Sequence, residues 1–375
     1  MPLEYSIFAV LLLGIALFHR RTFEVAAAGT VVLLVYKVLW TGIDLVEHLA
    51  HEWRLLINLL GLLLGFALLA KHFEESHLPS WLPDRLPADW RGGFLLLWIV
   101  AVISTFLDNI AGAMIGGVIA KRMYGERVCL SFIVALVAAS NAGGAGSVIG
   151  DTTTTMMWIA GTPAIVFLKA FIGAATAILF SGIIASRKQH NFQAMVKSAG
   201  QMVRIDVARL CIVGLIVLGT IVANVSLDFP AVGLWAGILI GGFIRPTQWS
   251  ELLHALKGSF FLILLVISAS LMPVESLPTP TWQTAFGLGF LSAVFDNIPL
   301  TALAIFQGGY DWAVLAYTVG YGGSLIWFGS SAGVAIANIF PQAKNSLSWL
   351  KEGWHVAVGY VMGFFTMLLL GGWKP

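Results

Sequence analysis

Charge is scarce in this sequence. Asp, Glu, Lys and Arg together make up 11% of its 375 residues, where a soluble domain carries about 25%. Apolar residues make up 58%, so many long runs have no water-facing stripe, which excludes an ordinary soluble fold. The formal net charge is only +2, and that argues against a nucleic-acid partner. Cysteine is nearly absent. Cys129 and Cys211 stand far apart in apolar runs, in no metal-ligand spacing and with no disulfide framework, so both read as packing residues. A cleavable leader is not expected either. The run from Tyr5 to Phe18 lacks a basic preceding region and a small-residue cleavage site, and His19-Arg20-Arg21 after it reads as a stop.

What is present is a polytopic, all-α membrane chain. Spanning helices are expected over roughly 4–18, 24–40, 54–72, 165–186, 207–224, 230–245, 257–272 and 355–372, with longer, broken helices over 128–161 and 312–340. Two apolar stretches, 93–120 and 285–308, are interrupted near their middles by Phe106-Leu-Asp-Asn-Ile110 and Phe295-Asp-Asn-Ile-Pro299. Each arm of about 12 to 14 residues reaches about 20 Å, short of the roughly 30 Å hydrocarbon core. Such arms predict a re-entrant hairpin with the Asp-Asn pair at its tip. Irregular backbone at that depth is tolerated only where it is buried in protein or lines a wet cavity.

The pattern is written twice. Each Asp-Asn tip is followed by a glycine-rich break, Gly143-Gly144 to Gly150 and Gly322-Gly323 to Gly329. In both, the later glycine follows the pair's second glycine by six positions. The first break, Ser140 to Thr155, is poor in helix formers and rich in hydroxyls that can re-satisfy freed backbone groups. Counting five full spans in each half predicts an inverted repeat. Residues 1–186 form the first half, 187–206 a basic cytoplasmic linker and 207–375 the second half, with a binding site at the midplane. Lys and Arg, among them Arg21, Lys121, Arg122, Arg187, Lys188 and Lys197, fall on one side if the N-terminus lies outside the cytoplasmic membrane. Trp53, Trp81, Trp90, Trp282, Trp349 and Trp354 fall near the expected boundaries, as an aromatic belt requires.

An ionisable side chain at membrane depth costs roughly 3 kcal/mol, so it marks function by default. Asp108, Asp151 and Asp296 qualify. Around them stand Asn109, Asn141, Asn297, Ser140, Ser147, Thr152, Thr153, Thr301, Ser324, Ser330 and Ser331. These are all oxygen donors suited to a hard cation such as Na⁺, and neighbouring carboxylates can also exchange protons. Neither the tips nor the breaks contain Lys or Arg. That weighs against an anionic substrate, although half-helix N-termini remain able to hold one. Glu75 and Glu275 read as solvated helix ends, Lys169 as a snorkelling residue, and His48 with His51 as a helix end outside the membrane. Tyr310-Asp311 resembles one motif of intramembrane aspartyl proteases, but Val148-Ile-Gly-Asp151 lacks the first glycine of the other.

The stretch Asn141-Ala-Gly-Gly-Ala-Gly-Ser-Val-Ile-Gly-Asp-Thr-Thr-Thr-Thr-Met156, and Asp296-Asn-Ile-Pro-Leu-Thr301 with the break from Gly322 to Ala335, resemble the signature of NhaD-type sodium/proton antiporters. These antiporters belong to the ion transporter superfamily, with arsenite permeases and divalent-anion/sodium symporters. The resemblance covers the chain from about residue 45 onward. It implies a homodimer in the bilayer, a scaffold part and a transport part moving elevator-fashion, and tip and break residues that form the cation site. Na⁺ or Li⁺ and H⁺ would be cargo, with no cofactor and no enzyme activity. The symporters of this superfamily carry Ser-Asn-Thr at their tips. Asp108-Asn109 and Asp296-Asn297 add charge there, so cation/proton exchange is the expectation. A coupled carrier of an organic anion or oxyanion is the alternative on the same fold.

Overall fold

The computed structural model describes residues 3–18, 21–196 and 204–375. His19, Arg20 and Lys197, part of the charge pattern above, lie outside the described residues. Among the described residues the secondary structure is helical, with no strand. The first half runs α1 (Leu3–Leu17), α2 (Thr22–Tyr36, continued by a π-helical stretch, Lys37–Thr41), α3 (Leu45–Glu74), α4 (Leu78–Trp81), α5 (Trp90–Phe106), α6 (Asn109–Tyr124), α7 (Leu130–Ala145), α8 (Thr152–Ile159), α9 (Ala164–Phe167) and α10 (Ala170–Phe192). The second runs α11 (Val207–Leu227), α12 (Pro230–Gly242), α13 (Ser250–Ser270), α14 (Trp282–Ser292), α15 (Asn297–Gln307), α16 (Trp312–Gly322), α17 (Ser331–Ile339), α18 (Ser346–Glu352) and α19 (Trp354–Gly371).

Among the described residues, six helical stretches are long and apolar enough to cross a bilayer: Thr22–Thr41, α3, Ala164–Phe192, α11, α13 and α19. This is a multi-pass membrane protein. Two elements expected as spans fall short of a full crossing. α1 has 15 residues and α12 has 13, or about 20 Å at 1.5 Å per residue. α12 ends on the glycine pair Gly241-Gly242, and Pro246 follows four positions on; neither favours another turn. α10 runs through Phe192, so the stretch expected as linker from 187 opens as helix.

Starts and stops follow capping chemistry. Asp44, Asp89, Asp206 and Asp311 each accept a hydrogen bond from a first-turn backbone N–H of the helix they precede, the usual way an orphan donor at a helix start is satisfied. Thr281 and Thr284 form a reciprocal capping box at the start of α14.

The helices pack as two groups. α1, α2, α3 and α13 share one apolar core with part of α15. α5 to α8, α10, α14, α16, α17 and α19 share the other with Leu62 to Phe73 of α3 and with one face of α11 and of α12, so α3 lies in both. α7 from Ser131 to Ala145 and α16 from Ala313 to Gly322 are buried on every side. They are the segments that precede the two glycine-rich breaks, so each break opens in the protein interior rather than towards lipid.

Candidate functional site

The two tips are built alike. α5 ends at Phe106, and Leu107 is extended. Asp108 then accepts the N–H of Ile110 at 2.7 Å to start α6. In the second half Asp296 accepts the N–H of Ile298 at 3.0 Å to start α15. α6 folds back along α5, because Gly112 lies against Ser104 and Gly116 against Val100. α15 instead leaves α14 and packs on α13 and α8.

The breaks match more closely. A Cβ on Gly143 would stand 2.0 Å from the carbonyl oxygen of Ala101, and one on Gly322 would stand 2.3 Å from that of Gly289. Ala101 and Gly289 each lie seven positions before their tip aspartate. A Cβ on Gly144 would meet Gly150 O at 2.4 Å, and one on Gly323 would meet Gly329 O at 2.8 Å. Real Cβ atoms do not come that close, so helix backbone touches helix backbone at the same relative positions in both halves. Past the breaks, Asp151 caps α8 through Thr153 N at 2.9 Å, and Ser330 caps α17 through Gly333 N at 3.2 Å.

One hydrogen-bonded network joins the halves. The Asn109 carboxamide donates to Asp151 Oδ2 at 2.9 Å and to Asn141 Oδ1 at 3.1 Å. The Asn141 amide donates in turn to Ser324 Oγ at 2.9 Å and to Ser330 Oγ at 3.0 Å. Thr153 Oγ1 donates to Asp151 Oδ1 at 2.9 Å. Ser140 donates to the Asn109 carbonyl at 2.5 Å and lies 3.3 Å from Ser104 Oγ. Asp151 is 1% exposed, whereas Asp108 and Asp296 are half-buried. Asp151 lies within electrostatic reach of both. Among the described residues, no three carboxylate, imidazole or thiol groups converge as a metal cluster. A cation here would draw on one or two carboxylates, with amides, hydroxyls and backbone carbonyls completing the shell.

Asn109, Asn141, Asp151, Ser140, Thr153, Ser324 and Ser330 thus come together. Other residues expected at the site do different work. Thr301 Oγ1 bonds the carbonyl of Asn297 four residues back, and Ser147 Oγ accepts Ile149 N. Asn297, Thr152 and Ser331 lie at helix starts and do not take part in the bonds just described. Thr154 and Thr155 spend their hydroxyls on carbonyls of the break itself, as re-satisfied backbone requires. Two contributors carry no signal in local sequence. Ser104 backs Ser140, and Gly320 leaves room against Asp151, since a Cβ there would stand 3.5 Å from Oδ2.

Several peripheral expectations change. Trp349 is fully buried rather than in a belt, and its indole N–H holds the carbonyl of Ser324 at 3.0 Å. Glu75 is not a solvated end, because Arg209 Nη1 lies 2.6 Å away. Lys169 does not snorkel. Its ammonium lies 2.6 Å from Asp311, which is itself 2% exposed. That carboxylate also accepts Val314 N and Lys374 N. Asp311 and Asp151 therefore sit in separate bonding networks, which removes the basis for a protease dyad. His48 bonds Ser270 at 2.9 Å in the opening turns of α3.

A buried carboxylate at a broken helix, held by amides that reach across two halves of a multi-pass chain, is an arrangement suited to an ion-coupled membrane carrier. Among such carriers, the chain is distantly similar to the NhaD-type Na⁺/H⁺ antiporters. It is 27% identical over 334 residues to the Na⁺/H⁺ antiporter NhaD of Vibrio cholerae, covering 73% of this chain and 69% of that protein. It is 26% identical to NhaD of Alkalimonas amylolytica, over 96% of this chain and 88% of that protein. It is 24% identical to sodium/proton antiporter 2 of Arabidopsis thaliana, over 92% and 93%. These relatives are named as carriers, not enzymes. No family model matches the chain.

Proposed function

We propose that this protein exchanges cytoplasmic Na⁺ (or Li⁺) for external protons across the cytoplasmic membrane. Asp108 and Asp296 take up cation and proton alternately, and Asp151 is the third titrating group. Asn109, Asn141 and the hydroxyls of the breaks complete the shell. The observation that carries this reading is the fully buried Asp151, held by Asn109 from one tip and tied through Asn141 to the other break. A buried carboxylate without a basic partner is costly unless a proton or a cation neutralises it, and exchange of one for the other is antiport. The relatives' names point the same way.

The two halves act in this proposal as inverted repeats, with re-entrant tips entering from opposite sides and the N-terminus outside. α1 to α3 with α11 to α13 serve as the scaffold of a homodimer, and the remaining helices carry the site in an elevator-like movement. The four half-helices α6, α8, α15 and α17 are already capped by Asp108, Asp151, Asp296 and Ser330. Their N-termini are therefore poor seats for an anionic substrate, and this ranks anion transport second.

The test is proton flux in everted vesicles from cells expressing the chain, read with a pH-sensitive dye. NaCl or LiCl should alkalinise the interior rapidly. Asp108→Asn and Asp296→Asn should each abolish the response while leaving the protein folded. Silence with every cation would move the reading to the anion carrier. Full activity in either variant would remove that aspartate from the mechanism.

A further inference from the structure

The two halves share a backbone cradle but not its side chains, and the difference bears on how many cations bind. Counting from the matched glycines, Asp151 corresponds to Ser330, each seven positions after the second glycine of its pair, and Asn141 corresponds to Gly320, each three positions before it. The cradles superpose in kind. The Cβ position of Gly144 lies 3.0 Å from Asp151 Cβ, and that of Gly323 lies 3.1 Å from Ser330 Cβ. Resting on the antiport reading above, we infer that each chain binds one dehydrated cation, on the Asn109–Asn141–Asp151 side, and that the second half builds no matching site.

Three observations support this. The first concerns capping. Ser330 starts α17 as Asp151 starts α8, and a hydroxyl caps a helix about as well as a carboxylate. The fold therefore does not need the charge on Asp151, yet that charge is buried at a cost. A neutralising cation offsets the cost.

The second concerns the amides. Asn109 finds a carboxylate and a second carboxamide at its break. Around Asn297, its counterpart, the corresponding sequence positions are Ser330 and Gly320, which offer neither a carboxylate nor a carboxamide. Two hydroxyls of the second break, Ser324 and Ser330, accept from Asn141 instead. The second half lends its oxygens to the first half's network.

The third concerns space. Gly320 stands against Asp151 Oδ2, where an added Cβ would lie at 3.5 Å, and 3.7 Å from the carbonyl oxygen of Asn141. A larger side chain would fill the volume beside the carboxylate oxygen that faces Asn109. Among the described residues Asp296 accepts only the Ile298 N–H that starts its helix, and its own half's break carries no second carboxylate. It takes its turn with the same single cation and with protons, as proposed above, without forming the core of a second cation site.

The experiment is equilibrium binding of ²²Na⁺ to the purified full-length protein in detergent, with Li⁺ as competitor. One Na⁺ per chain is expected. Asp151→Ser, which installs the second half's cap, and Asp151→Asn, which keeps both the cap and an Asn109 contact, should each weaken binding at least tenfold with the thermal midpoint monitored alongside. Two variants of different size keep the test valid if one folds poorly. Two Na⁺ per wild-type chain, or wild-type affinity in a folded Asp151 variant, overturns this inference and leaves the antiport reading in place. Absence of Na⁺ and Li⁺ binding by the wild type instead overturns the antiport reading, and this inference with it.

Discussion

Asn109 and Asp151, 42 positions apart in sequence, meet at 2.9 Å with both side chains buried. A carboxamide facing a carboxylate can only donate, so the bond fixes the orientation of Asn109 and turns its oxygen away. Asn109→Ala leaves Asp151 Oδ2 without this donor. Loss of one hydrogen bond to a charged group costs about 1.5–3 kcal/mol, enough to lower Na⁺-driven proton flux by about tenfold or more. Vesicle fluorescence at matched expression checks this, and an unchanged rate would show that the bond is incidental.

Lys169 and Asp311 form a second long-range pair, far from the tips. The ammonium also reaches the carbonyl of Gly372, so one side chain ties α10, the start of α16 and the C-terminal segment together. Removing one partner of a buried pair leaves an uncompensated charge, at a cost of about 3–5 kcal/mol. Lys169→Met should therefore lower the thermal midpoint in detergent by several degrees. Lys169→Met combined with Asp311→Asn should recover part of the loss. A double variant less stable than the single would count against this account.

Glycines in this chain are not equivalent. Gly143 faces the carbonyl of Ala101 at a distance no Cβ tolerates, whereas a Cβ at Gly214 in α11 would meet nothing within 4 Å. Gly143→Ala should abolish folded protein, judged by gel filtration. Gly214→Ala should be neutral or stabilising by about 0.5–1 kcal/mol, because alanine restricts the unfolded chain and favours helix. Similar yields for both would contradict the close backbone approach at the break.

At the start of α11, outside the spanning segment, hydrogen bonding from the Arg245 guanidinium holds the Asp206 carboxyl below its usual value. A folded-state value below the unfolded one means stabilisation that is complete above the unfolded carboxylate range, near pH 4, and lost as pH falls through the folded value. Asp206→Asn should thus lower the thermal midpoint at pH 7, and the difference from wild type should shrink as pH falls below about 4. A constant difference across that range would assign the effect to packing.

Much of the architecture was legible because membrane burial imposes simple rules. Long apolar runs gave the spans, and the interruption of such runs by Asp, Asn and glycine gave the breaks. Repetition of Asp-Asn and of the Gly-Gly-to-Gly spacing singled out the same residues twice. Asp108, Asp151 and Asp296 stood out because a carboxylate among apolar neighbours has few reasons to be there. The early end of α12 was harder to see, since Phe243 and Ile244 continue the apolar run past the point where the helix stops.

The sequence by itself determined that the chain is helical, membrane-embedded and broken at two matched places lined with oxygen donors, because each of those properties depends on residues close together in the chain. Only the tertiary structure decided which donors meet. It turned Ser324 and Ser330 towards Asn141, and it placed Trp349 under the carbonyl of Ser324. It gave Lys169 to Asp311 and Glu75 to Arg209, and it set Gly320 beside Asp151. Those pairings join segments from 25 to 189 positions apart, and the packing of whole helices, not the composition of any one of them, brings such positions within hydrogen-bonding distance.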